Sequence, residues 1–237
     1  MEPREPGNNH APLTTLSLSD RVELSLSDRE VVHISTKRHA QARLKVSRHA
    51  CNLFWERGVS ATSGADIAAA AGLSTRTIWR YFRTKESCVE PMLAQSAHRF
   101  IELANRWPEH LSLAEHMAAN MRDNPLTPDE LADEVSALQI TVLSLDEPSL
   151  RTALLLVHDQ LERDFLPVVA RRLALPLDHL TVRLCAAAVT GALRVVDEDV
   201  GRRVIVEKEK VSQKEALDLV DRAILDATNG RLGGPVP

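Results

Sequence analysis

Aromatic residues are nearly missing from this chain: they make up 3% of 237 residues, with a single Tyr. Aromatic side chains favour strands, whereas the Ala and Leu that dominate the apolar content favour helices, so an all-α fold is expected. Cysteine is equally scarce. Cys51, Cys88 and Cys185 are odd in number and far apart, without metal-ligand spacing, and read as reduced packing residues of a cytosolic protein. No apolar run approaches the roughly 20 residues of a membrane span. The opening MEPREPGNNHAPLTT has no basic stretch followed by an apolar one, so no secretory signal is expected. HExxH, GxSxG, P-loop and GxGxxG patterns are all absent. His110 and His116 are six apart and His39 and His49 ten apart, not the four that places two ligands on one helical face. Neither catalysis nor a metal or other cofactor is expected.

What is present is an uneven charge. The net charge of -4 conceals a segment, residues 37–86, with ten Lys and Arg against three acids. Residues 1–36 carry three basic and six acidic side chains, and residues 87–237 carry 16 and 24. A basic module of about fifty residues inside an acidic chain is the footprint of a nucleic-acid reader, or of a helical surface that is merely basic and solvated.

Residues 1–36 hold three Pro and a short repeat, LSLSDRVE followed by LSLSDREV, too polar to bury a face; they are expected to form a mobile tail. From Lys37 to Arg57 the pattern becomes helical, with Val46, Ala50, Leu53 and Phe54 on one face and Gly58 as a stop. Thr62 or Ser63 is placed to cap a helix carrying Ile67, Ala68 and Ala71, which Gly72 ends. Ser74 is placed to cap TRTIWRYF (75–82), and Thr84 to open a further helix in which Pro91 is expected to cause a kink or to mark a local irregularity. Helical patterns continue over 91–106, 109–122, 128–145, 149–173, 177–197 and 212–228, and residues 231–237 read as a second mobile tail.

Two short helices joined through a turn at Gly72, the second capped by Ser, describe a helix-turn-helix. Ile67, Leu73, Ile78 and Phe82 are its expected miniature core, and Thr75, Arg76, Thr77 and Arg80 its outward donors. The run GVSATSGADIAAAAGLSTRTIWRYFRTKES (58–87) resembles the DNA-binding domain of the TetR family of bacterial transcription regulators. The Gly after the first helix, the Thr opening the second, the Ile-Ala-x-Ala-Ala-Gly-Leu-Ser core, the aromatic pair and the Lys-Glu opening the next helix carry the likeness. It extends over roughly 37–93. Beyond that segment only the length and all-α character are similar. Trp79 stands where Tyr is commonest in the family and Arg76 where a small residue is frequent.

The resemblance implies a three-helix DNA-binding domain over 37–86, followed over 87–230 by a helical effector-binding and dimerisation domain. Carried over position by position, it implies that Thr62 donates to a phosphate, that Thr75, Arg76 and Thr77 meet base edges, and that Trp79, Tyr81 and Lys85 grip phosphates, with Arg80 suited to either role. Arg38, Arg43 and Arg48 are candidates for flanking the DNA backbone or for plain solvated surface. It further implies a cytoplasmic, nucleoid-associated homodimer on a palindromic operator in double-stranded DNA. Helices near 177–197 and 212–228 would pair the subunits, and an apolar or amphipathic small molecule would act as effector. Phe100, Trp107, Met117, Met121, Leu154 and Phe165 are the candidate pocket residues, with His116, His158, Arg151 and Arg194 as possible polar anchors. A repressor is the leading reading; an activator and a protein-binding helical adaptor are the alternatives.

Overall fold

A computed structural model describes residues 26–236, with side chains from Arg38 onward. Nine α-helices and no strands occur among the described residues: α1 (Leu26–Arg57), α2 (Gly64–Ala71), α3 (Thr75–Tyr81), α4 (Glu90–Asn105), α5 (Leu113–Asp123), α6 (Pro128–Leu143), α7 (Pro148–Leu173), α8 (Leu180–Gly201) and α9 (Gln213–Ala227). A 3-10 turn, Glu86–Val89, precedes α4, and a π-helical turn, Arg202–Val206, extends α8. His39–Pro237 form one compact unit, distinct from Met1–Arg38.

The element ends follow from local chemistry. Ser63, Ser112 and Thr127 each cap a helix by accepting from the backbone N–H three residues on, while Asp66, Glu115 and Glu130 bond back in reciprocal capping boxes. These bonds to the charged form hold all three carboxyls below their ordinary pKa values. Gly58, at φ +83°, stops α1 with its N–H on the Phe54 carbonyl.

One core joins Val46, Ala50 and Phe54 of α1 with Ile67 and Ile78, then with Met92, Ile140, Leu150 and Leu154. The other is built from Ala104, Trp107 and Leu113, from Leu161 and Phe165 of α7, and from Val182, Val189 and Ile224 of α8 and α9. The first core runs from the helix-turn-helix into α4, α6 and α7 without interruption.

Several expectations need correction. Helix already begins at Leu26, so the segment read as a tail is helical from there; residues 1–25, with the first copy of the repeat, lie outside the described residues. Pro91 marks a local irregularity rather than an interior kink: the 3-10 turn Glu86–Val89 ends just before it, and it occupies the first turn of α4, where a missing N–H breaks no helical bond. The helical pattern over 177–197 is extended, since helix persists to Val206. The expected C-terminal tail is tied down. Leu232 is buried, the Gly233 carbonyl accepts from the Leu113 N–H at 2.7 Å, and the Val236 N–H donates to the Glu109 carbonyl at 2.8 Å. Arg172 completes this clamp, stacking its guanidinium 3.7 Å from the Trp107 ring centroid and donating to the carbonyls of Pro108 and Gly234.

Candidate nucleic-acid interface and ligand cavity

Gly72 makes the turn of the helix-turn-helix at φ +69°, a left-handed conformation that a residue without Cβ adopts at least cost. Its N–H and that of Leu73 return to the Ala69 and Ala68 carbonyls, closing α2. The Ser74 hydroxyl then accepts from the Thr77 N–H at 3.2 Å and opens α3. Ile78 and Phe82 are buried behind α3. Leu73, expected in this miniature core, is 37% exposed instead, because the Gly72 turn directs it to the rim.

The outer face of α3 is Thr75, Arg76, Trp79 and Arg80, at i, i+1, i+4 and i+5, and all four are exposed. Arg76 makes no ion pair with the described residues. The Arg80 guanidinium lies 5.2 Å from the centre of the Tyr81 ring, which is half-buried and meets His39 edge-on at 4.8 Å. Thr77 is half-buried, its hydroxyl 2.9 Å from that of Ser74. The indole of Trp79, 48% exposed, lies against the first residue of α2.

Two predicted phosphate contacts are redirected. Thr62 is buried and its hydroxyl donates to the Gly58 carbonyl at 2.9 Å, so it does not face the exterior. Lys85 reaches inward, its Nζ donating to the Val59 carbonyl at 2.7 Å and to the Thr62 carbonyl at 2.8 Å. Both side chains stitch the turn between α1 and α2, where carbonyls past the helix end lack intrahelical partners. The cations of α1 divide similarly. Arg43 sits 5.1 Å from the Phe82 ring centroid, and Arg48 forms a two-bond pair with the buried carboxylate of Asp133. Arg38 is exposed.

A cavity of about 220 Å³ opens between α4, α5 and the start of α9, with Phe100, Met117 and Met121 on its wall as expected from sequence. Leu103 and Leu126 add apolar surface, and Arg99, Asn120, Asn124 and Gln213 add polar groups. Trp107, Leu154 and Phe165 do not line it. Trp107 is buried beneath Arg172, Leu154 belongs to the first core, and Phe165 stands one layer behind the wall, 5.4 Å from Phe100 centroid to centroid. The four expected polar anchors are also elsewhere. His116 bonds the Leu103 carbonyl, Arg151 and Arg194 share Glu198, and burial pushes His158 down to about 4.

Of the two helices expected to pair the subunits, α8 exposes the larger apolar side chains. On α8, Leu180, Leu184 and Val195 are each more than half exposed. On α9, Ile224 is buried and Val220 packs against the core, Leu217 and Leu219 are partly exposed, and Lys214, Asp218, Arg222 and Asp226 are exposed. Leu155 and Leu156 on α7 and Leu131 and Val135 on α6 are exposed as well. No helix among the described residues is long and apolar enough to cross a membrane.

A helix-turn-helix with an outward cationic face, set on a helical domain, defines a DNA-binding transcription regulator. Residues 48–92 match the bacterial regulatory proteins of the tetR family, and residues 114–224 match the MftR C-terminal domain. The chain belongs to the TetR family. Among solved structures it is similar to the fatty acid degradation regulator FadR from Bacillus halodurans, at 19% identity and a TM-score of 0.51, over 80% of this chain and 95% of that one. That likeness supports the fold. Comparison with curated proteins finds no match.

Proposed function

We propose that this protein is a repressor that occupies a palindromic operator as a homodimer and leaves it when a small molecule fills the cavity at Phe100, Met117 and Met121. The observation that carries this reading is the outer face of α3, where Thr75, Arg76, Trp79 and Arg80 are exposed together and Arg76 is unengaged by the described residues. Arg76 reads a base edge; Arg80 and the indole of Trp79 position the helix on phosphates. Thr75 joins the base contacts, and the hydroxyl of Thr77 contributes from the edge of α3. The DNA-binding domain spans 37–86, and the domain from residue 87 onward binds effector and partner. One helix-turn-helix reads few base pairs, so two copies on a two-fold site supply the specificity. The exposed stripe of α8 forms the centre of that dimer, with α9 beside it. The protein acts in the cytoplasm on the nucleoid.

The apolar wall of the cavity suits a hydrophobic or amphipathic effector, with amide groups from Asn120, Asn124 and Gln213 for its polar part. The test is fluorescence anisotropy on the DNA upstream of the protein's own coding sequence, and on scrambled DNA, across a salt series. Tight binding to one duplex over a common salt dependence establishes a sequence reader. Equal, weak binding to both favours the adaptor alternative.

A further inference from the structure

Between the cavity and α1 lies a continuous chain of polar side chains that the DNA-reading face does not use. Arg99, on the cavity wall, pairs with Glu134 of α6, and Ser96 donates to the same carboxylate at 2.8 Å. One turn back on α4, the Gln95 amide is assigned, from its hydrogen-bonding neighbours, the orientation that satisfies both of them. Its oxygen accepts from Arg99 Nη1 at 3.2 Å, and its nitrogen donates to Asp133 Oδ2 at 3.1 Å. Asp133 then receives Arg48 of α1, Nε on Oδ1 at 2.8 Å and Nη2 on Oδ2 at 2.7 Å. Asp133 is only 5% exposed.

A carboxylate so buried is strongly disfavoured without its partners, so Arg48 and Gln95 are bound to hold it or to move with it. Gln95 is engaged by Arg99 on one side and by Asp133 on the other. A displaced Arg99 guanidinium withdraws the donor from the Gln95 oxygen, the same amide that bonds Asp133, which in turn holds the cation of α1. Two neighbouring positions on α6 carry opposite ends of the chain: Glu134 faces the cavity-side arginine and Asp133 the α1 arginine. Arg48 lies on the same helix as Val46, Ala50 and Phe54, which form the core against α2 and α3.

We propose that Arg99, Gln95, Asp133 and Arg48 form a relay that couples occupancy of the cavity to the placement of α1, and through it to the recognition helix. Arg48 and Asp133 are positioning residues rather than DNA contacts. The proposal rests on the reading of the cavity as an effector site. Energetic coupling between sites is established only when perturbing one changes the other, so the test is a mutant cycle rather than geometry.

The experiment is amide hydrogen exchange on the full chain, without DNA or effector, for wild type, Arg99→Ala, Gln95→Met, Arg48→Ala and the double variant Arg48→Ala/Arg99→Ala. Arg48 is nearly half exposed on its side chain, so its truncation leaves no large void. Asp133→Asn, which keeps the shape and removes the charge, is the second variant should truncation unfold α1. The relay requires exchange in α1 around residue 48 to quicken several-fold in Arg99→Ala and Gln95→Met. In the double variant the increase should be no greater than in Arg48→Ala alone. Changes confined to α4 and α6, or full additivity in α1, overturn it. Because neither DNA nor effector enters this measurement, failure of the DNA-binding reading shows separately in the anisotropy assay.

Discussion

Trp79 lies across Gly64 so closely that a Cβ at Gly64 would stand 2.2 Å from the indole Cζ2. The first residue of α2 is thereby the seat of an exposed aromatic side chain on the recognition helix. Gly64→Ala should leave the helices intact, because the obstructing atoms belong to the far end of a side chain free to swing outward. The expected outcome is a shifted tryptophan emission and several-fold weaker DNA binding with an unchanged denaturation midpoint. A large loss of stability with no change in the bound geometry would contradict this.

Arg76 on the exposed face should act on one base pair. Arg76→Ala is expected to weaken operator binding by roughly 1–3 kcal/mol and to relax preference at a single position. Binding to a panel of single-substitution duplexes measures both. A uniform loss across all duplexes, scrambled ones included, assigns Arg76 to phosphate instead.

For Lys85 the sequence and the tertiary structure give opposite forecasts. As a phosphate ligand, its removal would flatten the salt dependence by about one unit and leave folding untouched. Bonded to the Val59 and Thr62 carbonyls, Lys85→Met should instead lower stability by about 1–3 kcal/mol. Urea unfolding beside a salt titration of DNA affinity decides between them.

Leu184 is more than half exposed in the middle of the α8 stripe. Leu184→Glu should convert the dimer to monomer in sedimentation velocity, since a buried, unpaired carboxylate is incompatible with a packed interface. The matched change on α9, Asp218→Ala, should leave the dimer unaltered. A dimer that persists in Leu184→Glu would overturn the assignment of α8 to the interface.

His158 supplies a pH dependence. Burial first, and then the nearby charge of Arg194, push it from its usual 6.5 down to about 4, and its Nδ1 is buried without a partner. The folded protein thus binds fewer protons than the unfolded chain between those values. The stability associated with neutral His158 is present above about 6.5 and lost as pH falls toward about 4. The denaturation midpoint should decline over that interval in wild type, and less steeply in His158→Leu.

The helices and the DNA-reading motif were legible because they follow from local rules. Proline in a first turn, Ser or Thr followed three residues later by an acid, glycine after the last turn and apolar residues at helical spacing act within a few residues of chain. Six helical patterns after residue 90 accordingly recur as α4 to α9, with ends shifted by a few residues. Arg76 and Arg80 were readable as outward donors because Ile78 and Phe82 fix which side of α3 is inward.

The identity of each side chain's partner was not local. Thr62 and Lys85 carry the chemistry of phosphate ligands, and only the return of the chain after α3 brings Lys85 onto the carbonyls of the first turn. Asp133 left a readable trace, an acid at i, i+4 and i+7 with buried Ala137 and Ile140, but not which cation would meet it. That cation is Arg48, 85 residues earlier. Likewise Phe165, Leu154 and Trp107 have the same apolar character as Phe100 and Met117, and composition cannot rank core against cavity wall. By itself the sequence determined the all-α class, the helix ends and the outward face of α3, because periodicity and capping are properties of contiguous residues. Burial of Thr62, inward use of Lys85, the cavity lining and the Arg48–Asp133 pair were decided by tertiary packing, which alone sets how far a polar group is from water and which distant group can satisfy it.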